Sequence, residues 1–158
     1  MLTRNPADLP AQGRIAAFDY GTRTVGVALS TSDQKSCASA APLQPQGGFE
    51  GVLNAFKAAY GSAIVGAVVG LPLNMDGTVG KSADAARSFA GVVAKVLGVP
   101  VLLWDERLTS RQSEAAFFEQ REGRQTRGSK KASGGKTDSG AAVLILQSAL
   151  DTRATDRR

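Results

Sequence analysis

Three acidic positions stand where apolar segments end or begin, and carboxylates at such positions can hold a metal ion. Asp19 ends the segment RIAAFD, and Asp105 with Glu106 follows the segment VLLW. Asp138 begins the last helical pattern. Each acid has a structural explanation on its own, because Asp and Glu also cap turns and helices. Three carboxylates that converge from buried elements would repel one another without a counter-ion, and Mg²⁺ or Mn²⁺ prefers such oxygen ligands.

The chemistry open to such a site is narrowed by residue types that the chain lacks. The chain has no histidine and a single cysteine, Cys37. A histidine-based triad, a histidine zinc site and a cysteine metal cluster are therefore excluded, and the cysteine usage fits a cytoplasmic protein. Two divalent ions about 4 Å apart can activate a water and stabilise the leaving oxygen of a phosphodiester. The residues thus indicate metal-assisted phosphodiester hydrolysis, with the metal lowering the pKa of the attacking water because no general base is evident.

A basic segment, residues 121–136, carries the net charge of the chain. The whole chain has a formal net charge of +5, and this segment alone holds six basic side chains and one acid. A basic stretch rich in Gly and Ser is either a solvated loop or a loop that grips phosphates. We expect a mobile loop that becomes ordered on a nucleic-acid backbone. Its basic residues are Arg121, Arg124, Arg127, Lys130, Lys131 and Lys136.

The elements that must position the acids follow from the apolar periodicity. The segment Arg14 to Thr31 is typical of two strands joined by a hairpin turn, with Asp19 at the end of the first strand. Further strands are predicted over 36–43, 64–69 and 101–104, and helices over 49–60, 81–97, about 109–120 and about 138–150. This order predicts an α/β fold with a mixed five-stranded sheet, one antiparallel strand and helices packed on both faces. Sites in such sheets form beyond the carboxyl ends of the parallel strands.

One domain over residues 13–151 is expected, because no repeat and no shift in composition marks a boundary. Residues 1–12 contain prolines and lack an apolar centre, which predicts a loose tail rather than a signal peptide. Residues 152–158 are predicted to form a short charged tail. No apolar run approaches the ~20 residues that a membrane-spanning helix needs, so no membrane association is expected.

Four segments, in order, closely resemble the signature segments of the YqgF (RuvX) family: FDYGTRTVGVALS, VVGLPLNMDGTVG, WDERLTS and KTDSGAAVLILQSAL. The resemblance spans about residues 14–151 and implies an RNase H-like fold. It implies a nuclease that matures the 5′ end of pre-16S ribosomal RNA, and hence a role in ribosome biogenesis and contact with the small ribosomal subunit. It also implies that Asp19, Glu106 and Asp138 are the metal-binding and catalytic acids. The residues alone leave Asp105 and Glu106 open, since both faces of VLLWDE are apolar.

Two other functions stay open. The same resemblance implies a Holliday junction resolvase acting on branched DNA, and symmetric cutting of a junction would need a homodimer. Compared with the related RuvC resolvases, the chain has Gly70-Leu71-Pro72 where a second acid would stand, and Ala141 where the last helix would offer another. Three candidate ligands therefore remain rather than four. The alternative of another class is a non-catalytic RNA-binding scaffold, although a scaffold has no need of three costly carboxylates.

Four residues outside the basic segment are candidate nucleic-acid contacts. Arg23 lies in the first turn, where it could bind a phosphate or stabilise charge in the transition state. Asn74 and Lys81 flank a Gly-rich connection that leads to a helix start, a common place for phosphate contacts. Arg107 follows the second acidic position, and its alternative roles are to orient Glu106 or to cap a helix. A solvated side chain or a surface salt bridge is the structural alternative for each of them.

Overall fold

The computed structural model describes residues 1–21, 24–45, 48–71, 81–105 and 138–156, which form one mixed sheet and three helices. The strands are Leu2–Thr3 (β1), Arg14–Asp19 (β2), Val25–Ser30 (β3), Cys37–Leu43 (β4), Ile64–Leu71 (β5) and Val101–Asp105 (β6). The helices are Phe49–Tyr60 (α1), Lys81–Leu97 (α2) and Asp138–Asp156 (α3). Single 3-10 turns lie at Pro6–Asp8 and Gly61–Ala63.

The sheet has the strand order β1-β6-β5-β2-β3-β4. β2, β5 and β6 run parallel to one another, and β3 runs antiparallel to both β2 and β4. The predicted mixed sheet with one antiparallel strand is therefore confirmed, but the described sheet has six strands rather than five. The parallel strands end at one edge, the carboxyl edge, where their last residues are Asp19, Leu71 and Asp105.

Two apolar layers cover the two faces of the sheet, as predicted. Side chains alternate along β2, so Phe18 packs in the layer formed with α1 and α2, and Ala17 packs in the layer formed with α3. Phe18 is fully buried, and its ring meets the rings of Phe56 and Phe89 edge-on at centroid distances of 5.4 and 5.8 Å. This packing fixes the orientation of β2, and with it the face on which Asp19 stands.

Residues 1–12 differ from the loose tail that the sequence predicts. β1 pairs in parallel with β6, and the backbone nitrogen of Val101 donates to the carbonyl oxygen of Met1 at 2.9 Å. Leu9 is only 4% exposed and packs in the α3 layer. The sequence does not reveal this arrangement, because a strand of two residues carries no periodicity and its partner strand lies far along the chain.

The carboxyl-terminal prediction also needs correction, since α3 continues through Asp156 instead of ending near residue 150. Arg153, predicted to lie in a charged tail, is 5% exposed. Charged residues in this last stretch concealed the continuation of the helix. The predicted helix over 109–120 and the basic segment 121–136 lie outside the described residues. No helix in the described part is long and apolar enough to cross a membrane.

Candidate active site

Asp19 stands at the carboxyl edge, on the face of the sheet that α3 covers. It is the last residue of β2 and pairs across the antiparallel ladder with Gly26 of β3. Strand alternation places Asp19 on the same face as Ile15 and Ala17, which are both fully buried in the α3 layer. Asp19 itself is partly buried. A carboxylate is thus held at the margin of an apolar layer, where a cation could reach it from solvent.

The amino end of helix α3 points toward the carboxyl edge, as the contacts at its carboxyl end show. Arg153 Nη2 donates to the carbonyl oxygen of Leu9 at 2.7 Å, shortly before β2 begins. The rise of about 1.5 Å per residue gives ~22 Å between residues 138 and 153, close to the ~20 Å length of a six-residue strand. The carboxyl end of α3 therefore lies beside the amino end of β2, and Asp138 begins the helix toward the carboxyl edge.

Asp105 lies at the carboxyl edge but on the opposite face. Along β6, Trp104 packs in the α3 layer and Leu103 packs in the layer of α1 and α2. Alternation assigns Asp105 to the side of Leu103, and its register partner Leu71 belongs to that layer too. Asp105 and Asp19 therefore face opposite sides of the sheet. The sequence could not make this distinction, because both sides of β6 are apolar.

A group of aromatic rings supports the carboxyl edge from the α1–α2 side. Tyr20 follows Asp19 and takes the opposite face, where its ring lies 5.5 Å from the rings of both Phe49 and Phe89. Phe49 and Phe89 meet at 5.0 Å in an edge-on arrangement. Aromatic pairs of this kind add about 0.5–1.5 kcal/mol beyond the burial of their surface. Tyr20 therefore anchors the backbone just after Asp19, on the face of the sheet opposite to the Asp19 side chain. The sequence analysis did not predict this support.

Most of the remaining predicted site residues lie outside the described part of the chain. Asp138 and Lys81 are described only through their backbones, at the starts of α3 and α2. Among the described residues no group of three or more His, Cys, Asp or Glu side chains could hold a metal ion. The metal set therefore stays a prediction in which Asp19 is the described member. The predicted residues outside the described ranges are Glu106, Arg23, Asn74, Arg107, Arg121, Arg124, Arg127, Lys130, Lys131 and Lys136.

An open cleft of about 260 Å³ lies at the other end of β2, away from the carboxyl edge. Arg14 and Cys37 are among its lining residues. The Cys37 thiol donates to Gln147 Oε1 at 3.4 Å, and burial, with a smaller contribution from Asp151, raises the pKa of Cys37. A thiol with a raised pKa is a poor nucleophile, so Cys37 is a packing residue between β4 and α3.

Comparison with solved structures identifies the fold. The chain is similar to T. thermophilus RuvC in complex with Holliday junction substrate, with a TM-score of 0.57 and 16% sequence identity. The likeness covers 90% of this chain and 96% of that chain. At this identity the likeness speaks for the fold alone, and that fold is RNase H-like, as the sequence predicted.

Comparison of sequences identifies the family. A relative from Sphingopyxis alaskensis is 43% identical over 92% of this chain and 91% of its own length, and one from Bradyrhizobium sp. strain BTAi1 is 36% identical over 94% and 89%. Both carry the name "Putative pre-16S rRNA nuclease". The family model for RuvX, described as Holliday junction resolvase, matches residues 13–152. The family resemblance of the four sequence segments is thereby confirmed, and the chain belongs to the RuvX (YqgF) family.

Proposed function

We propose that this protein is a metal-dependent endonuclease that hydrolyses phosphodiester bonds during 5′ maturation of pre-16S ribosomal RNA. The observation that carries the proposal is the partly buried Asp19 carboxylate at the carboxyl edge, on the face covered by α3. Family membership and the shared name of the relatives support the nuclease class and the RNA substrate. The small ribosomal subunit, in the cytoplasm, would then present the substrate.

The proposed donor set consists of Asp19, Glu106 and Asp138. Asp19 offers hard oxygen ligands at the carboxyl edge, and α3 begins with Asp138 and is directed toward that edge. Asp105 faces the α1–α2 side, away from Asp19, which argues against Asp105 as a member of this set, and the family resemblance supplies Glu106 instead. A donor set made only of carboxylates suits Mg²⁺ or Mn²⁺ better than zinc or copper.

The chemistry of the reaction is divided between the cation and the protein. A divalent cation bound there would lower the pKa of an attacking water and neutralise charge at the leaving oxygen. The three carboxylates would hold and orient the cation, and the buried faces of β2 and α3 would limit access of bulk water. The basic residues of segment 121–136, together with Arg23, Asn74, Lys81 and Arg107, would hold the substrate backbone through its phosphates. Binding should therefore depend strongly on salt, whereas cleavage should depend on the acids.

A second candidate substrate is a four-way DNA junction. The family description, Holliday junction resolvase, favours it. Each protomer offers one candidate set of acids, and paired cuts across a symmetric junction would therefore require a homodimer. A junction resolvase and a ribosomal RNA nuclease would share the same acids, so the substrate has to be decided by direct competition.

The test is a cleavage assay with labelled pre-16S RNA, carrying its ribosomal proteins, beside a labelled four-way DNA junction, in Mg²⁺ and then in Mn²⁺. Wild type is compared with Asp19→Asn and with the matched control Asp105→Asn, an acid of the same edge that faces the other side. Cleavage of the RNA by wild type and the control, lost in Asp19→Asn, is the expected result. Cleavage of the junction alone would favour the resolvase. Binding without cleavage in all three proteins would favour a non-catalytic RNA-binding scaffold.

A further inference from the structure

A buried arginine joins three chain segments at the end of the sheet opposite the carboxyl edge. Arg153, near the end of α3, is 5% exposed. Its Nη1 donates to Gln34 Oε1 at 2.6 Å, and its Nη2 donates to the carbonyl oxygen of Leu9 at 2.7 Å. The Gln34 amide nitrogen donates in turn to the carbonyl oxygens of Pro10 and Gly13, at 3.0 and 2.9 Å. Arg153 and Gln34, referred to below as the clamp, thus tie α3 to the chain that enters β2.

The conformation of Gln34 indicates that the clamp is strongly specified. Its φ of 61° lies in the left-handed region, which residues other than glycine seldom adopt. The side-chain amide uses both donor hydrogens and its acceptor oxygen in the bonds of the clamp. Only one orientation of the amide satisfies all three bonds, because the two carbonyl oxygens need donors and the guanidinium needs an acceptor. The unfavourable backbone is therefore held by a fully paired side chain.

The rest of the contact between α3 and the sheet is mainly apolar and holds the middle of the helix. Ile145 and Leu146 of α3 are buried in this layer, where their ridges resist sliding. Trp104 Nε1 of β6 also donates to Ser148 Oγ at 3.2 Å. The clamp lies beyond these contacts, near the last turns of α3 and at the entry of β2, so it adds a second fixed point along the helix axis.

We propose that Arg153 is a positioning residue that sets the axial position of α3, and thereby the distance of Asp138 from Asp19. The guanidinium is planar and offers two donors in a fixed geometry, so it fixes both the distance and the direction of α3 relative to the entry of β2. A slip of α3 by one residue would move Asp138 by about 1.5 Å along the helix axis. Ligand distances in metal sites tolerate only about 0.2 Å, so such a slip would weaken the site. The inference rests on the proposed function, because it concerns catalysis only if Asp138 binds the metal.

The axial position can be measured without any metal. Spin labels at Gly140→Cys, exposed near the start of α3, and at Ser62→Cys, exposed just before β5 at the opposite edge of the sheet, report a distance that runs mainly along the strands, by pulsed electron paramagnetic resonance. The background is Cys37→Ser, so that only the two introduced thiols carry labels. We expect Arg153→Lys to shift the mean distance by about 1.5 Å or to broaden its distribution, because the shorter lysine side chain ends in a single nitrogen, which cannot take the places of both guanidinium nitrogens.

The matched control is Val96→Ala in α2, which removes buried apolar surface from the other layer without touching α3. This variant should be destabilised and should leave the distance distribution unchanged. A distribution in Arg153→Lys that equals those of wild type and control would overturn the proposal. Arg153→Lys keeps the charge and most of the side chain, so it is the first variant to test. Arg153→Ala, if it folds, serves as a second variant in the same distance measurement.

The link to the site is tested by the affinity for Mn²⁺, measured by titration calorimetry. Arg153→Lys should bind Mn²⁺ about tenfold more weakly than wild type, the lower end of what loss of a ligand-orienting partner costs, whereas Val96→Ala should match wild type. A shifted α3 with unchanged Mn²⁺ affinity would overturn the positioning role. Absence of Mn²⁺ binding in wild type would instead overturn the proposed function, and the spin-label distances would still decide whether the clamp sets the position of α3.

Discussion

Asp19 and Asp105 end two strands at the same edge of the sheet, and replacing each by asparagine should have different consequences for the stability that a bound metal adds. In wild type, Mg²⁺ bound at the site stabilises the folded state because the unfolded chain lacks the site. Asp19→Asn removes a proposed ligand, so the stabilisation should disappear. Asp105→Asn removes an acid that faces the α1–α2 side, so most of the stabilisation should remain.

The expected magnitudes follow from linkage and from the spacing of the strands. At a Mg²⁺ concentration tenfold above Kd, binding contributes about 1.4 kcal/mol, which for a chain of this size raises Tm by about 3–6 °C. β5 separates β2 from β6, so the backbones at Asp19 and Asp105 are about 10 Å apart. At that distance one unit charge attracts a divalent cation by about 0.8 kcal/mol in water, reduced to roughly 0.3 kcal/mol at 0.1 M salt. Asp105→Asn should therefore lower Tm in Mg²⁺ by only about 1 °C.

The assay is thermal unfolding followed by circular dichroism, in EDTA and over a series of Mg²⁺ concentrations, at 0.1 M ionic strength. Comparing each variant with itself, with and without Mg²⁺, removes any effect of the substitution on the metal-free protein. An equal rise in Tm for Asp19→Asn and wild type would refute the assignment of Asp19 as a ligand. Loss of the rise in Asp105→Asn, with retention in Asp19→Asn, would refute the assignment of faces.

Three further predictions concern the core, the basic segment and the thiol. The indole nitrogen of Trp104 donates to Ser148 Oγ at 3.2 Å, and Ser148 is only 1% exposed. Trp104→Phe leaves this buried hydroxyl without its donor, so the free energy of unfolding in urea should fall by about 1–3 kcal/mol. Adding Ser148→Ala should cost less than the sum of the two single changes, and strict additivity would contradict this reasoning. Replacing the basic residues of segment 121–136 with glutamine should weaken nucleic-acid binding and flatten its salt dependence while Mn²⁺ affinity is kept, and an unchanged salt slope would argue against that role. Because burial and Asp151 raise the pKa of Cys37, its alkylation at pH 8 should be slower than that of an unfolded control, and Asp151→Asn should speed it. Because the pKa of Cys37 is raised in the folded state, its contribution to the free energy of unfolding is fully present below the ordinary thiol pKa. This contribution is lost as the pH rises through the raised pKa.

The sequence alone determined the elements whose signals are local. The strand that ends at Asp19, the hairpin after it, and the helices Phe49–Tyr60 and Lys81–Leu97 agree with the structure because each is specified by its own apolar periodicity and punctuation. The four signature segments identified the family for the same reason, since each is a short run of residues that can be read without knowing what it touches. The mixed order of strands and helices was then enough to predict an α/β sheet with one antiparallel strand.

Features that depend on partners far along the chain became visible only in the folded molecule. β1 and Leu9 are ordered by contacts with β6 and α3, and Arg153 is buried because Gln34 and Leu9 receive its donors. The face of Asp105 follows from its register with Leu71, whereas VLLWDE is apolar on both sides and carries no period that could distinguish the faces. Periodicity reports how one element is buried. The register between elements, which places Asp19 and Asp105 on opposite faces of one sheet, arises from pairing and packing and is absent from any single segment.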